Sequence, residues 1–415
     1  MRFYPLVAET GEGSFVYDVD GNRYIDFNSG LLCLNVGHKH PRIVDAIKKQ
    51  SEKLIHYSYT DFFYDEVVRL AEEIVKITPG AFKKKVFLSN SGTESIEAAI
   101  KLAKWHTRKQ NFIAFTGGFH GRTTGALSLT GSKPVHKRHM YPEMPGVTHV
   151  PFAYCYRCPF KLKYPECDMW CVDFIEEEVL DKFLPDENVA AAIAEPIQGE
   201  GGYVVPPDEY FSRLTKLLDR HGILFIDDEI QTGVGRTGRW FGIEHWDTVP
   251  DILCTSKALA SGLPIGVTVS KSELMKWEGG SHASTFGGNP VAAAAALEVL
   301  RVIRDEHLLE NATRQGNYIL HRLKEMQEEL PLIGDVRGKG LMIGIELVRD
   351  PKTKEPAKNE AKQVMEKCFR RGLAIITAGP STIRIAPPLN IERTVVDEGL
   401  SILQGAVREV QKTLA

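Results

Sequence analysis

Short apolar runs alternate along the first two thirds of the chain with stretches in which apolar residues recur every three or four positions. The runs are Lys85 to Ser89 (KVFLS), Asn111 to Thr116 (NFIAFT), Ala190 to Glu195 (AAAIAE), Ile223 to Asp227 (ILFID), Ile252 to Thr255 (ILCT) and Pro264 to Ser270 (PIGVTVS). Too short for helices and often bounded by Gly, Pro or Asn, they read as strands buried on both faces. The segments Pro41 to Tyr57, Asp65 to Thr78 and Asp208 to His221 carry a single apolar stripe each and read as covering helices, the last closed by Gly222. This alternation predicts an α/β fold with a mainly parallel sheet. After Pro290 an Ala- and Leu-rich segment without proline predicts a long helix or a helix pair. From Gly334 on, GLMIGIELV and STIRIAPP with two amphipathic helices predict a smaller α+β unit.

Charge narrows the function classes. The 415 residues hold 51 Lys and Arg against 54 Asp and Glu, a net charge of -3, and the basic runs are too short to track a phosphate backbone, so no nucleic-acid partner is expected. No apolar stretch is long enough for a membrane span, and acids in the opening MRFYPLVAETGEG replace the apolar centre of a secretion signal, which predicts a cytoplasmic protein. Seven cysteines cannot all pair within the chain. Four of them form Cys155-x2-Cys158-x8-Cys167-x3-Cys171, arms with metal-ligand spacing. A structural metal site, disulfides and free thiols all remain open for this cluster, and no catalytic role is assigned to it.

Three features could carry chemistry. Asn90 to Ser95 (NSGTES) lies between a strand and a helix, where backbone amides and hydroxyls can hold a phosphate, although the same pattern is an ordinary helix cap. Asp228 follows ILFID at the carboxyl edge of the sheet, where open α/β folds bind ligands, but a lone acid there can also be a cap. Lys257 follows ILCT among small residues that leave its amine approachable, while a solvated lysine is the plain alternative. Together, a phosphate nest, a carboxylate for a pyridinium nitrogen and an amine for an aldehyde are what pyridoxal 5'-phosphate requires.

The motifs YDVDGNRYIDFNSG, GHKHP, NSGTESIEAAIKLA, FTGGFHGRT, AEPIQGEGGY, IDDEIQTGVGRTG, SKALASGLPIG, STFGGNP and IRIAPPL, in this order, resemble the class III pyridoxal-phosphate aminotransferases over nearly the whole chain. The nearest likeness is to the 4-aminobutyrate members of a group that also includes the ornithine and acetylornithine enzymes. The resemblance implies fold type I: a large domain with a mainly parallel seven-stranded sheet (residues 46–295) and a small α+β domain from both termini (1–45 and 296–415). It also implies a homodimer with a shared active site, and leaves open whether dimers assemble further. By position, Lys257 matches the Schiff-base lysine, Asp228 the partner of the ring nitrogen, and Gln231 the residue bonded to the ring hydroxyl. Phe119 and Ile230 match the residues on the two ring faces, and Gly92 and Thr93 the phosphate cradle, joined by Thr285 from the other subunit.

For substrate, Arg384 matches the arginine that holds an α-carboxylate, Glu200 the glutamate that neutralises it, and Arg122 the arginine for a distal carboxylate. Leu31 stands where ornithine-specific relatives have a tyrosine, which implies an apolar tunnel. The implied reaction is ping-pong transfer of an amino group from an ω-amino acid, foremost 4-aminobutyrate, to 2-oxoglutarate. An amino-acid racemase or epimerase, or an ornithine or acetylornithine aminotransferase, is the alternative on the same scaffold. The chain starts nearly at the first family motif, SKALAS replaces a glycine-rich stretch, and Ala283 stands where glycine is usual. The short start bears on access to the site.

Overall fold

The computed structural model describes residues 4–414. Strands β1 (Ala8–Glu12), β2 (Phe15–Asp18) and β3 (Arg23–Asp26) form an antiparallel meander. Seven strands follow: β4 (Lys84–Ser89), β5 (Asn111–Phe115), β6 (Val147–Val150), β7 (Val189–Ala194), β8 (Leu224–Asp228), β9 (Ile252–Thr255) and β10 (Gly266–Lys271). They make one sheet in the order β4-β10-β9-β8-β7-β5-β6, parallel except for β10, which runs against both of its neighbours. The C-terminal strands are β11 (Ile333–Lys339), β12 (Met342–Leu347), β13 (Leu373–Ala374), β14 (Ile376–Ala378) and β15 (Thr382–Ile385). Four of them form an antiparallel sheet, β11-β12-β15-β14. The remaining one, β13, pairs in parallel with β3, Leu373 opposite Ile25, so the two ends of the chain share a sheet.

Every apolar run of the sequence lies in a strand of the large sheet. Its seventh strand, β6, has Thr148 and His149 in its middle and no apolar signature, which is tolerable because it is an edge. The same holds for β11, whose sequence IGDVRGK edges the C-terminal sheet. Strand β7, all Val, Ala and Ile, is buried on both faces, and its alanines keep the layers above and below close. The helical segment after Pro290 is a pair, Pro290–Asp305 and Leu308–Glu329, broken where His307 adopts a left-handed φ of 52°. Among the described residues no helix is long and apolar enough to cross a membrane.

The three layers of sequence meet at Arg236, which is fully buried. Its Nη1 donates to the carbonyls of Leu341 (3.0 Å) and Pro387 (2.5 Å), and its Nη2 to Asn35 Oδ1 (2.6 Å) and Ser29 Oγ (3.3 Å). No carboxylate pairs with it among the described residues, and burial pulls its pKa down to about 10. Each buried acceptor left unpaired costs about 1–3 kcal/mol, so Arg236→Leu should lower stability by about 3 kcal/mol or more. Calorimetric melting would read this, and Arg236→Lys should recover only part of it, because an ammonium cannot reach the same spread of acceptors.

Candidate active site

The parallel strands all point their carboxyl ends at one edge, and the residues released there line one cleft of about 320 Å³. Strand β4 leads into Gly92 and Thr93, β5 into Phe119, His120 and Arg122, β7 into Glu195, β8 into Asp228, Ile230 and Gln231, and β9 into Lys257. Both readings of NSGTES hold at once. Ser91 caps the helix Gly92–Thr107 by accepting from Glu94 N (3.4 Å), and Glu94 Oε2 accepts from Asn90 N (2.6 Å). The amides of Gly92 and Thr93, in the helix's first turn, make no hydrogen bond among the described residues. They remain available to an anion at the positive end of the helix. Gly92 is required sterically: a Cβ there would lie 2.8 Å from the Ile230 side chain.

Charges in the cleft are ordered by burial. Asp228 Oδ2 lies 2.7 Å from His120 Nδ1, both side chains buried, and Asp228 Oδ1 accepts from Ile230 N (3.1 Å). His120 Nε2 and Gln231 Oε1 are buried without a hydrogen-bond partner. Glu195 accepts from Phe119 N and Gly199 N, 2.9 Å each, and so fixes the loop that carries Phe119. Burial pushes its carboxyl up to about 7, His120 opposing and Asp228 reinforcing the rise. Lys257 sits at a left-handed φ of 35°; burial pulls its ammonium below the ordinary lysine range, while Asp228, Cys33 and Glu195 favour its charge. An amine eased towards neutrality can act as nucleophile or base.

Of the substrate candidates, Arg122 lines this cleft, whereas Arg384, Glu200 and Leu31 do not. Arg384, on β15, is buried and paired with Glu200, which is also paired with Lys133. Burial alone would raise the Glu200 carboxyl, but Arg384 and Lys133 outweigh it and hold the group below the usual range. Arg122 is exposed and lies over the Phe119 ring, 5.7 Å from its centroid. Thr285 is exposed and does not line the cleft of this chain. Leu31, 53% exposed, lines a neighbouring cleft with Asn28, Gly30 and His38 rather than the cleft of Lys257.

The aminotransferase class-III family profile matches residues 2–407. The chain belongs to the class-III aminotransferase family. It is 42% identical over 413 residues, 99% of this chain and 93% of the relative, to the leucine/methionine racemase of Thermococcus litoralis. It is 39% identical to a probable 4-aminobutyrate aminotransferase of Bacillus subtilis, covering 97% of this chain and 93% of the relative. A Bacillus anthracis aminotransferase crystal structure superimposes with a TM-score of 0.92 at 34% identity, covering 99% of this chain and 95% of that one.

This class-III aminotransferase is therefore a pyridoxal-phosphate enzyme, and its cleft fits that cofactor. Two free amides at a helix N-terminus can take a phosphate, a buried carboxylate can face a pyridinium, and the orphaned Gln231 Oε1 awaits a donor. Sequence reasoning passed over His120 and Glu195, although both lie inside quoted motifs; Glu195 ends an apolar run just as Asp228 does.

Asp227 was also passed over. Both of its carboxylate oxygens are buried without a partner, and burial, with Glu229 and Asp228 close by, raises its pKa well above the ordinary value. The folded chain therefore holds a proton that the unfolded chain loses near pH ~4, and this group's contribution to stability falls as pH rises from there towards the folded pKa. Asp227→Asn removes that dependence. Relative to wild type the variant should gain stability from about pH 4 upward, by up to about 1.4 kcal/mol per pH unit, in a series of melting temperatures against pH.

Proposed function

We propose that this class-III enzyme transfers the amino group of an ω-amino acid, foremost 4-aminobutyrate, to 2-oxoglutarate. The observation that carries the reading is the ion pair between buried Arg384 and Glu200. An ω-amino acid brings no carboxylate next to its amine, and an unpaired Arg384 would be a buried charge without a partner. Glu200 supplies that partner for the first substrate. For 2-oxoglutarate the pair must open, and Lys133, already in contact with Glu200, keeps the displaced carboxylate neutralised.

In this reading Gly92 and Thr93 hold the cofactor phosphate, joined by Thr285 of a second copy in a shared-site homodimer. Phe119 and Ile230 flank the ring, Gln231 bonds its hydroxyl, and Asp228, oriented by His120, holds charge on its nitrogen. Bound pyridoxal phosphate supplies a sink for the electron pair left when a proton departs from the carbon bearing the amine. Lys257 would anchor the cofactor and would move that proton as general base and acid. Arg122 binds the distal carboxylate of both substrates, and Leu31 adds an apolar wall to the approach.

Lys257→Ala should abolish turnover. Arg122→Gln should lower kcat/KM for 4-aminobutyrate and for 2-oxoglutarate by about 10- to 100-fold, and leave amines without a distal carboxylate nearly unaffected. Lys133→Met should raise KM for 2-oxoglutarate more than for 4-aminobutyrate, because only the former needs Glu200 displaced. The racemase relative favours a second reading on the same lysine. Half-reaction spectra decide: loss of the cofactor's visible band with 4-aminobutyrate supports the transaminase, whereas interconversion of leucine or methionine enantiomers without a 2-oxo acid replaces it.

A further inference from the structure

The four clustered cysteines surround one cavity. Cys155, Cys158, Cys167 and Cys171 all line one small, partly open space of about 20 Å³, whose remaining wall is aromatic or apolar, with Phe152, Phe160, Met169 and Trp170. That is room for one water-sized occupant. The wall holds no carboxylate or imidazole, so any ligand set is sulfur alone. The four thiols are free.

The backbone around them is built twice over. Cys158 O accepts from Lys161 N and Cys167 O from Trp170 N, 3.0 Å each, so a tight turn opens at the second thiol of the first arm and at the first thiol of the second. Left-handed residues make both turns possible: Lys161 (φ 59°) in one, Asp168 (φ 42°) and Met169 (φ 58°) in the other. From the end of β6 at Val150 to the helix that begins at Trp170, the only regular element is the single turn Cys155–Arg157. A long irregular segment inside a compact fold needs another source of order.

We infer that these cysteines form a tetrathiolate site for a single thiophilic divalent ion, zinc or iron. Among the described residues no three His, Cys, Asp or Glu side chains already converge at ligating spacing, so the thiols must turn inward about their Cα–Cβ bonds as the ion enters, each between staggered positions. Four Cys–SH groups then give up four protons to solvent and form four metal–sulfur bonds, leaving a net charge of -2 that Lys161 and Lys163 on the same segment offset. No oxidation state changes.

The site is a staple between layers. Tyr154 and Arg157, at its first arm, contact Glu346 of β12, and Lys354 Nζ donates to Tyr156 O (2.8 Å). Glu346 also takes Arg337 Nη2 (2.8 Å), which donates to Gly202 O (2.6 Å), two residues beyond Glu200. The ion thus braces the far side of the segment that presents Glu200, well outside the cofactor cleft.

The test is elemental analysis of cofactor-loaded protein purified without a metal-affinity step, followed by removal of the metal and titration with cobalt(II). About one zinc or iron per chain is expected, the analysis itself telling which. Cobalt should give the long-wavelength bands of a tetrahedral thiolate complex, clear of the cofactor's absorption. The double variant Cys158→Ser/Cys167→Ser should lose both the ion and the cobalt bands and melt earlier. If that variant does not fold, the wild-type titration still decides. A metal-free wild type that gives no cobalt bands, or disulfides among the four residues in peptide mass spectra, overturns the site.

Discussion

The fold depends on a buried guanidinium that forms no ion pair among the described residues. Arg236 satisfies its donors on Leu341, Pro387, Asn35 and Ser29, which come from parts of the chain hundreds of residues apart. A carboxylate would have neutralised it with one neighbour; backbone carbonyls force it to gather several. The segment Ser29 to Asn35, the loop that follows β8, the turn into β12 and the exit of β15 are thereby fixed to one point. Arg384 lies three residues before Pro387, so the same tie sets where the cation paired with Glu200 stands.

Burial also sorts the acids of the cleft. Asp227 and Asp228 end β8, Glu229 follows directly, and all three are buried, yet alternation sends the two strand neighbours to opposite faces of the sheet. Asp228 meets His120 across 2.7 Å. Asp227 has no hydrogen-bond partner among the described residues and burial raises its pKa well above the ordinary value, while burial lifts Glu229 to about 7 against the bonds it accepts from Thr232 and Ile243 N. Three carboxylates side by side therefore do not carry three charges, and the one with a buried imidazole beside it is the one placed in the cleft. The same rule acts on Lys257, whose burial favours the neutral amine over the attraction of nearby acids.

Much of this was legible in the sequence because the strands of the large sheet are buried on both faces. Runs such as AAAIA and ILFID admit no other reading, and the residues that end them fall at the sheet edge where ligands bind. Edge strands escaped for the opposite reason: β6 and β11 need only one neighbour each and carry polar residues in their middles. Single charges escaped as well. Nothing local distinguishes Glu195 from a helix cap, and the service of His120 to Asp228 spans 108 residues. The shared contact of Lys133 and Arg384 with Glu200 is equally non-local.

One segment runs against local preference altogether. Ser29, Gly30, Leu31 and Leu32 have φ of 46°, 57°, 66° and 60°, a left-handed turn in which only Gly30 is at ease. Each of the other three costs roughly 1–2 kcal/mol. Asp26 holds the turn by accepting from Asn28 N (2.9 Å) and Gly30 N (3.0 Å), and His38 Nε2 lies 2.8 Å from the same carboxylate. Ser29 is clamped from the far side by Ala386 O and by Arg236. A right-handed turn would need none of this. What the strain achieves is visible in Leu31, a large apolar side chain held 53% exposed in the cleft it lines with Asn28, Gly30 and His38. Backbone strain that so many distant groups maintain belongs to positions where a side chain must stand in one place. The turn that presents Leu31 is thus one that no local sequence preference would form, held by the Asp26 carboxylate and the Arg236 guanidinium.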